Sequence, residues 1–534
     1  MLDAITDYLT PEHTEQVLLV LRILFFAATL AFLLSLCFRR IRGPRRRDFR
    51  VRIVLLLIVA GFLAVFAYQA TWQLTGFVNS DFMLFMERYN PRPDNAASKL
   101  ARGRIFDCQG RELAVSAPDV RGFRRYPYGP ATAHIVGYRH PLFGMTGMER
   151  AADAVICGYL LDPRSKEDLA RIGQTILQER RLVGSNLMLT LDAELQATAL
   201  ECFTTNGWRG AAVALDPRDG AIRLLATAPS FEPNGFDPRV VNRLPGNPQL
   251  NRAIQGAYPP GSTFKLAIAA LAIECGKAGE YTCPGEGWVP PGTRRPIRDH
   301  ERLSNPSRPG FGRIGIRTAL AKSSNTYFAQ AGVASGPAAF NALAEALCIN
   351  RSLPLYESPN GNRVAANKGS VPILGSGRGA LRELSQLSIG QGSLVVSPLH
   401  IAMLGAAVAN DGTLYRPHLV ETDLPEILST PFRPATARKV RDLMREVVLT
   451  GTGRRADIPG LEVAGKTGTA QNPHGKDHGW FVCLAPASAP ELVVAVIVEN
   501  QGFGSQTALP IARAILEKAR DLGYVTPGGQ AGMP

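Results

Sequence analysis

The stretch Tyr258–Cys275, YPPGSTFKLAIAALAIEC, governs the reading of the whole chain. Pro259, Pro260 and Gly261 break whatever precedes them, and from Ser262 the sequence runs as a helix that is apolar on almost every side. A helix of that kind belongs inside a large core. Its first turn nevertheless carries Lys265, and an ammonium is costly to bury without partners. Ser262 stands three residues earlier, the spacing that puts two side chains on one helix face. Lys265 is the only lysine of the chain with a serine at that distance before it. A serine is a weak nucleophile until a base takes its proton. A lysine serves as that base when burial or a neighbouring cation lowers its pKa toward neutrality. The positive field at a helix start works in the same direction. Ser262 and Lys265 are therefore a candidate nucleophile and base.

The segments around this helix predict an α+β domain. NLMLTLDAELQATALECF, Asn186–Phe203, reads as a strand running into a helix. AAVALDPRDGAIRLLATAP, Ala211–Pro229, reads as two strands joined by a turn containing Asp-Gly. GWFVCLAP and ELVVAVIVEN read as neighbouring antiparallel strands, and LPIARAILEKARDL as a closing amphipathic helix. Helices packed on an antiparallel sheet follow from this order. Before Ser185 the chain is irregular until SKEDLARIGQTILQERRL, Ser165–Leu182, which has a helical period.

The chain has 534 residues and a net charge of +14, enough length for two or three domains. Half of that charge is local, because RRIRGPRRRDFRVR, Arg39–Arg52, holds eight arginines against one aspartate. No basic stripe with interleaved aromatics remains, which argues against nucleic-acid binding. The arginine run separates two apolar segments, 17–38 and 53–72, each near the roughly 20 residues that cross a bilayer. So basic a loop stays in the cytoplasm. The expectation is a transmembrane helical hairpin with tail 1–16 and everything after Trp72 outside. Arg22, near the outer end of the first segment, can snorkel. The eight cysteines include no CxxC and no zinc-type cluster, so no metal or cofactor is expected. An outer compartment would permit a Cys275–Cys283 bridge.

Two more motifs accompany Ser-x-x-Lys. AKSSNTYF places Ser323 and Asn325 as Ser-x-Asn, and VAGKTGTAQN places Lys466, Thr467, Gly468 and Thr469 just before the terminal strands. The three motifs, in this order, form the set of serine penicilloyl transferases. A second hydroxyl can relay a proton, a second lysine keeps the first neutral, and the glycine leaves room for a peptide backbone beside the strand. From about Gly103 onward the chain resembles a class B penicillin-binding protein, a monofunctional peptidoglycan D,D-transpeptidase. The resemblance extends to RGRIFDCQGRELA (Arg102–Ala114), GMTGMERAAD (Gly144–Asp153) and GAAVALDPRDGAIRLLATAP (Gly210–Pro229). It also takes in LSIGQGSLVVSPLHIAMLGAAVANDGTLYRP (Leu387–Pro417) and HGWFVCLAP (His478–Pro486).

The resemblance implies a pedestal domain at 73–185, a transpeptidase domain at 186–525 and a tail at 526–534. It implies that Ser262 attacks the penultimate D-alanine of a stem pentapeptide with Lys265 as base. Ser323 and Lys466 would pass the proton to the departing D-alanine. Asn325 would hold Lys265 and the substrate amide. Thr467 and Thr469, with Gly468 between them, would bind the terminal carboxylate. The backbone N–H groups of Ser262 and Thr469 would form the oxyanion hole. An amine from a neighbouring stem peptide would take the acyl group, and β-lactams would acylate Ser262 in the same way. A SEDS-type glycan polymerase is the implied partner, since no glycosyltransferase domain is evident, and the outer face of the bacterial inner membrane is the implied location. The family usually has one anchor, whereas two are expected here. Rival readings are a D,D-carboxypeptidase or β-lactamase, and a β-lactam sensor. The first needs a deacylating carboxylate, for which EALCIN (Glu345–Asn350) has the wrong spacing and reads as a buried helix end. The second needs a cytoplasmic signalling domain. His400 and His478 read as structural, because a lysine already fills the role of base.

Overall fold

A computed structural model describes residues 102–116, 124–140, 142–157, 184–300, 309–472 and 475–527, with a few positions between 54 and 65. Contacts divide the chain into two compact units, Met1–Pro91 and Arg92–Pro534. In the first, the described positions are helical, and Val54, Leu57, Ile58, Phe62 and Val65 are exposed. No helix among the described residues is long and apolar enough to cross a membrane. Those few positions aside, tail 1–16, both expected spans and loop 39–52 lie outside the described residues, as does the helix expected at Ser165–Leu182.

Every side chain of the segment Leu492–Val498 is buried, a pattern that only a strand covered on both faces can satisfy. It is the middle of a five-stranded sheet. The strands are β1 (Gly210–Leu215), β2 (Ile222–Ala228), β3 (Ala464–Ala470), β4 (His478–Ala485) and β5 (Leu492–Val498), in the order β3-β4-β5-β1-β2. All neighbouring pairs are antiparallel, and both expected hairpins are present. Side chains alternate between two cores, as a period of two requires. Val494, Val496, Phe481 and Ala212 face a core shared with helices α1 (Ala193–Thr205) and α6 (Ala508–Asp521). Val493, Ala495, Val482 and Val213 face the other core. There α4 (Pro398–Ala409), buried along its whole length, lies on the sheet. The apolar helix of the opening stretch, α2 (Lys265–Glu274), packs with α3 (Asn325–Ser335) and α5 (Pro434–Leu449). Its residues from Lys265 to Ala272 are all buried, as their composition demands.

A second, small sheet is built from Arg124–Arg125, Glu112–Ser116, Ile105–Phe106 and Leu187–Met188, in that order, the last strand joining in parallel. Leu187–Met188 is the strand expected before α1, and its partner is Ile105–Phe106. Close to this sheet Arg102 pairs with Glu149 at 2.9 Å and Asp153 at 2.5 Å, while Arg124 pairs with Glu149 at 2.7 Å. All four are buried, so removing one partner would strand a charge inside protein.

Candidate active site

Ser262 does not begin an α-helix. It lies in a 3-10 turn, Gly261–Phe264, and the α-helix starts at Lys265. In a 3-10 turn residues i and i+3 eclipse, which keeps Ser262 over Lys265. Four contacts pin this turn. Gly261 N–H donates to Gly390 O at 2.9 Å, and Tyr258 and Val396 exchange backbone bonds of 2.9 Å. Thr263 Oγ1 donates to Pro260 O at 2.7 Å, and Trp480 Nε1 to Pro259 O at 3.0 Å. The segments 387–417 and 478–486 thus meet at the turn that carries Ser262. Gly390 is irreplaceable there: its φ is +74°, and a Cβ would stand 1.9 Å from Gly261 O.

Lys265 Nζ turns to the Ser-x-Asn motif. It donates to Ser323 O at 2.6 Å and Asn325 Oδ1 at 2.7 Å, with Ser323 Oγ at 3.3 Å. Lys466, from the edge strand β3, reaches the same hydroxyl at 2.9 Å and Thr467 O at 2.7 Å. Two lysines, each 0% exposed, therefore converge on Ser323 Oγ. Ser262 is half-buried, and its Oγ has no hydrogen bond among the described residues. Such a contact often forms only in the substrate complex. Ser323 has φ +56°, a left-handed backbone that costs a residue with a Cβ roughly 1–2 kcal/mol. The next residue, Ser324, caps α3 by accepting from Tyr327 N–H at 3.1 Å.

The electrostatics revise one expectation. Burial is what brings the Lys265 ammonium down to about 7, and the carboxylate of Asp299 opposes that fall. The repulsion between the two lysines shows instead at Lys466, held well below its usual range by burial and then by Lys265. Desolvation is thus the largest influence that brings Lys265 toward neutral pH.

The Lys466-Thr467-Gly468-Thr469 motif lies on β3, whose outer edge is unpaired within the sheet. Gly468 was expected to leave room for a peptide. Its missing Cβ instead admits the nucleophile turn: a Cβ would stand 2.9 Å from Thr263 Cγ2 and 2.9 Å from Trp480 Cβ. Thr467 Oγ1 shares a 2.6 Å hydrogen bond with Thr452 Oγ1, and Thr469 is half-buried.

Two neighbours escaped the sequence reading. Asp299 accepts from Ser324 Oγ and Thr326 N–H, both at 3.0 Å, behind the Ser-x-Asn turn. As a lone carboxylate in a polar loop it carries no sequence signal. Thr452 belongs to a Thr-Gly-Thr-Gly run, which signals only a turn. Other expectations are resolved locally. Cys275 and Cys283 are both free thiols rather than a bridge, and Cys283 Sγ lies 3.7 Å from Ser324 Oγ. His400 Nδ1 caps its own helix through Ser397, and burial draws its pKa to about 4. His478 Nδ1 accepts from Asn500 N–H at 3.1 Å. Glu345 is exposed near the end of a helix, Pro337–Ala346. Among the described residues no cluster of His, Cys, Asp and Glu could hold a metal ion.

Comparison with known proteins agrees with this geometry. The model of the penicillin binding protein transpeptidase domain matches residues 210–517. The peptidoglycan D,D-transpeptidase PbpA of Mycobacterium tuberculosis is 31% identical over 460 residues, covering 78% of this chain and 89% of PbpA. The peptidoglycan D,D-transpeptidase MrdA of Acinetobacter baumannii is 29% identical, covering 72% of this chain and 64% of MrdA. Among solved structures, the ceftriaxone acyl-enzyme complex of penicillin-binding protein A from M. tuberculosis superposes with a TM-score of 0.70. It has 29% identity and covers 79% of this chain and 99% of that one. With the three motifs gathered around Ser323 and this similarity over most of its length, the chain belongs to the penicillin-binding protein transpeptidase family, in its class B branch.

Proposed function

We propose that this peptidoglycan D,D-transpeptidase works through an acyl-enzyme on Ser262, with the two buried lysines as its proton carriers. The observation that carries the reading is the convergence of Lys265 and Lys466 on Ser323 Oγ. Neutral Lys265 takes the Ser262 proton as Oγ attacks the carbonyl of the penultimate D-alanine. The oxyanion forms against the N–H groups of Ser262 and Thr469. Collapse breaks the peptide bond, and Ser323, linked to Lys466, delivers a proton to the leaving D-alanine. Asn325 holds Lys265 and the substrate amide, while Thr467 and Thr469 take the terminal carboxylate. An amine of a second stem then attacks the acyl-enzyme, releasing Ser262 and forming the cross-link. A β-lactam opens its ring on Ser262 by the same first step.

The arginine loop at 39–52 between apolar segments 17–38 and 53–72 supports a membrane hairpin. That hairpin would hold the active site on the outer face of the bacterial inner membrane. The resemblance supports a SEDS-type polymerase as the partner that makes the glycan strand. The test is to incubate the full chain with a stem-peptide donor and a D-amino acid acceptor. Incorporation of the acceptor with release of D-alanine is expected. Release by hydrolysis alone would replace this reading with a carboxypeptidase.

A further inference from the structure

Behind the Ser-x-Asn turn lies a carboxylate with no role in the mechanism above. Asp299 is buried, and its Oδ1 accepts from Ser324 Oγ and from Thr326 N–H, both at 3.0 Å. Thr326 N–H is one of the first-turn donors that a helix leaves unpaired, so Asp299 caps α3 from another segment. The residue before it completes the clamp. Arg298 O accepts from Asn325 Nδ2 at 3.0 Å, which fixes the amide so that Oδ1 faces Lys265 Nζ at 2.7 Å. Residues 298 and 299 therefore hold Ser324, Asn325 and Thr326, the three residues that follow the left-handed Ser323.

We propose that Asp299 is a positioning residue for acylation: its carboxylate ties down this turn and sets a fixed negative charge behind Lys265. The inference rests on the functional reading above. Asp299 Oδ2 is buried and, among the described residues, has no hydrogen-bond partner. A carboxylate oxygen left that way is costly, and a nearby cation offsets the cost. The groups facing Lys265 Nζ are Ser323 and Asn325 on the turn and, from α3, the Phe328 ring, whose centroid is 5.9 Å away. Lys466 approaches from β3 through the shared hydroxyl. Among the described residues, Asp299 is the carboxylate whose charge acts on Lys265, opposing the effect of burial. That charge works against the fall that burial imposes on the Lys265 ammonium, so removing it makes the amine a weaker base.

The test is the pH profile of acylation of the full chain by a fluorescent penicillin. Asp299→Asn keeps an oxygen for the two hydrogen bonds and removes the charge. The midpoint of the acid limb should fall by about one pH unit, the low end of what a neighbouring opposite charge confers. The plateau should fall with it, since the base is weaker. Asp299→Glu should bring the midpoint back toward wild type. Ser324→Ala, which loses the hydrogen bond to Asp299 and the cap on Tyr327 N–H but keeps the charge, should slow acylation with the midpoint unmoved. Asp299→Asn with a wild-type midpoint, or Ser324→Ala with the same shift, would overturn the charge role. If Asp299→Asn does not fold, Asp299→Ser, which also removes the charge, is read in the same profile, and an unmoved midpoint there overturns the charge role. A wild-type chain that fails to label would instead sink the acyl-enzyme reading itself.

Discussion

At the scale of single residues the site turns on which nitrogen is uncharged. Lys265 titrates near 7, below its ordinary value, and only the neutral amine accepts a proton. Acylation by a penicillin should therefore be flat above that pH and fall about tenfold per unit well below it. A profile that rises as the pH drops would contradict the assignment of Lys265 as base. Thr467 presents a second, quieter dependence. Its hydroxyl is paired with Thr452 and largely buried. Thr452→Val should leave it unsatisfied, costing roughly 1–2 kcal/mol and so slowing acylation about tenfold. Thr452→Ser should restore the rate, and equal rates for Val and wild type would remove Thr452 from the site. Ser262, Lys265, Ser323, Asn325 and Lys466 were legible because each sits in a short motif whose spacing carries chemical meaning. Asp299 and Thr452 were not, because only the folded chain brings them beside those motifs.

At the scale of elements the question is what holds the nucleophile against the edge strand. The 3-10 turn Gly261–Phe264 and β3 approach so closely that Gly468 has no space for a side chain. Gly468→Ala should push the turn away from β3 at a cost of about 1–3 kcal/mol. A displacement near 1 Å at a reacting centre can cost about a hundredfold in rate. The expected outcome is a folded protein that labels at least tenfold more slowly, measured by stopped labelling alongside circular dichroism. An unchanged rate would mean that the turn tolerates a methyl group. The elements themselves were well announced by the sequence. The apolar runs of Gly210–Leu215 and Leu492–Val498, the first followed by an Asp-Gly turn, marked strands of the sheet. Less visible was the end of each element. Tertiary hydrogen bonds to Gly390 and Val396 hold the turn at Ser262, so local helical period could not reveal that the α-helix begins only at Lys265. Leu187–Met188 likewise took its partner from Ile105–Phe106, far away in sequence.

At the scale of the whole molecule, one compact unit from Arg92 onward joins the small sheet with its buried Arg102, Arg124, Glu149 and Asp153 to the large sheet and the active site. The buried charges tie the segments 102–114 and 144–153 to each other. The α+β class followed from the order of strands and helices. The strand order, with β1 and β2 inserted beside the C-terminal strand β5, was not readable, because period and turn chemistry say nothing of which distant strands pair. What the whole fold must do is make Ser262 a nucleophile beside the two amines that meet on Ser323 Oγ, and its reactivity is directly measurable. The full chain should be treated with a fluorescent penicillin beside a Ser262→Ala variant, and the adduct mapped by peptide mass spectrometry. The account predicts one covalent adduct, on the peptide containing Ser262, and none in the variant; an unlabelled wild type, or a variant labelled equally well, would contradict it.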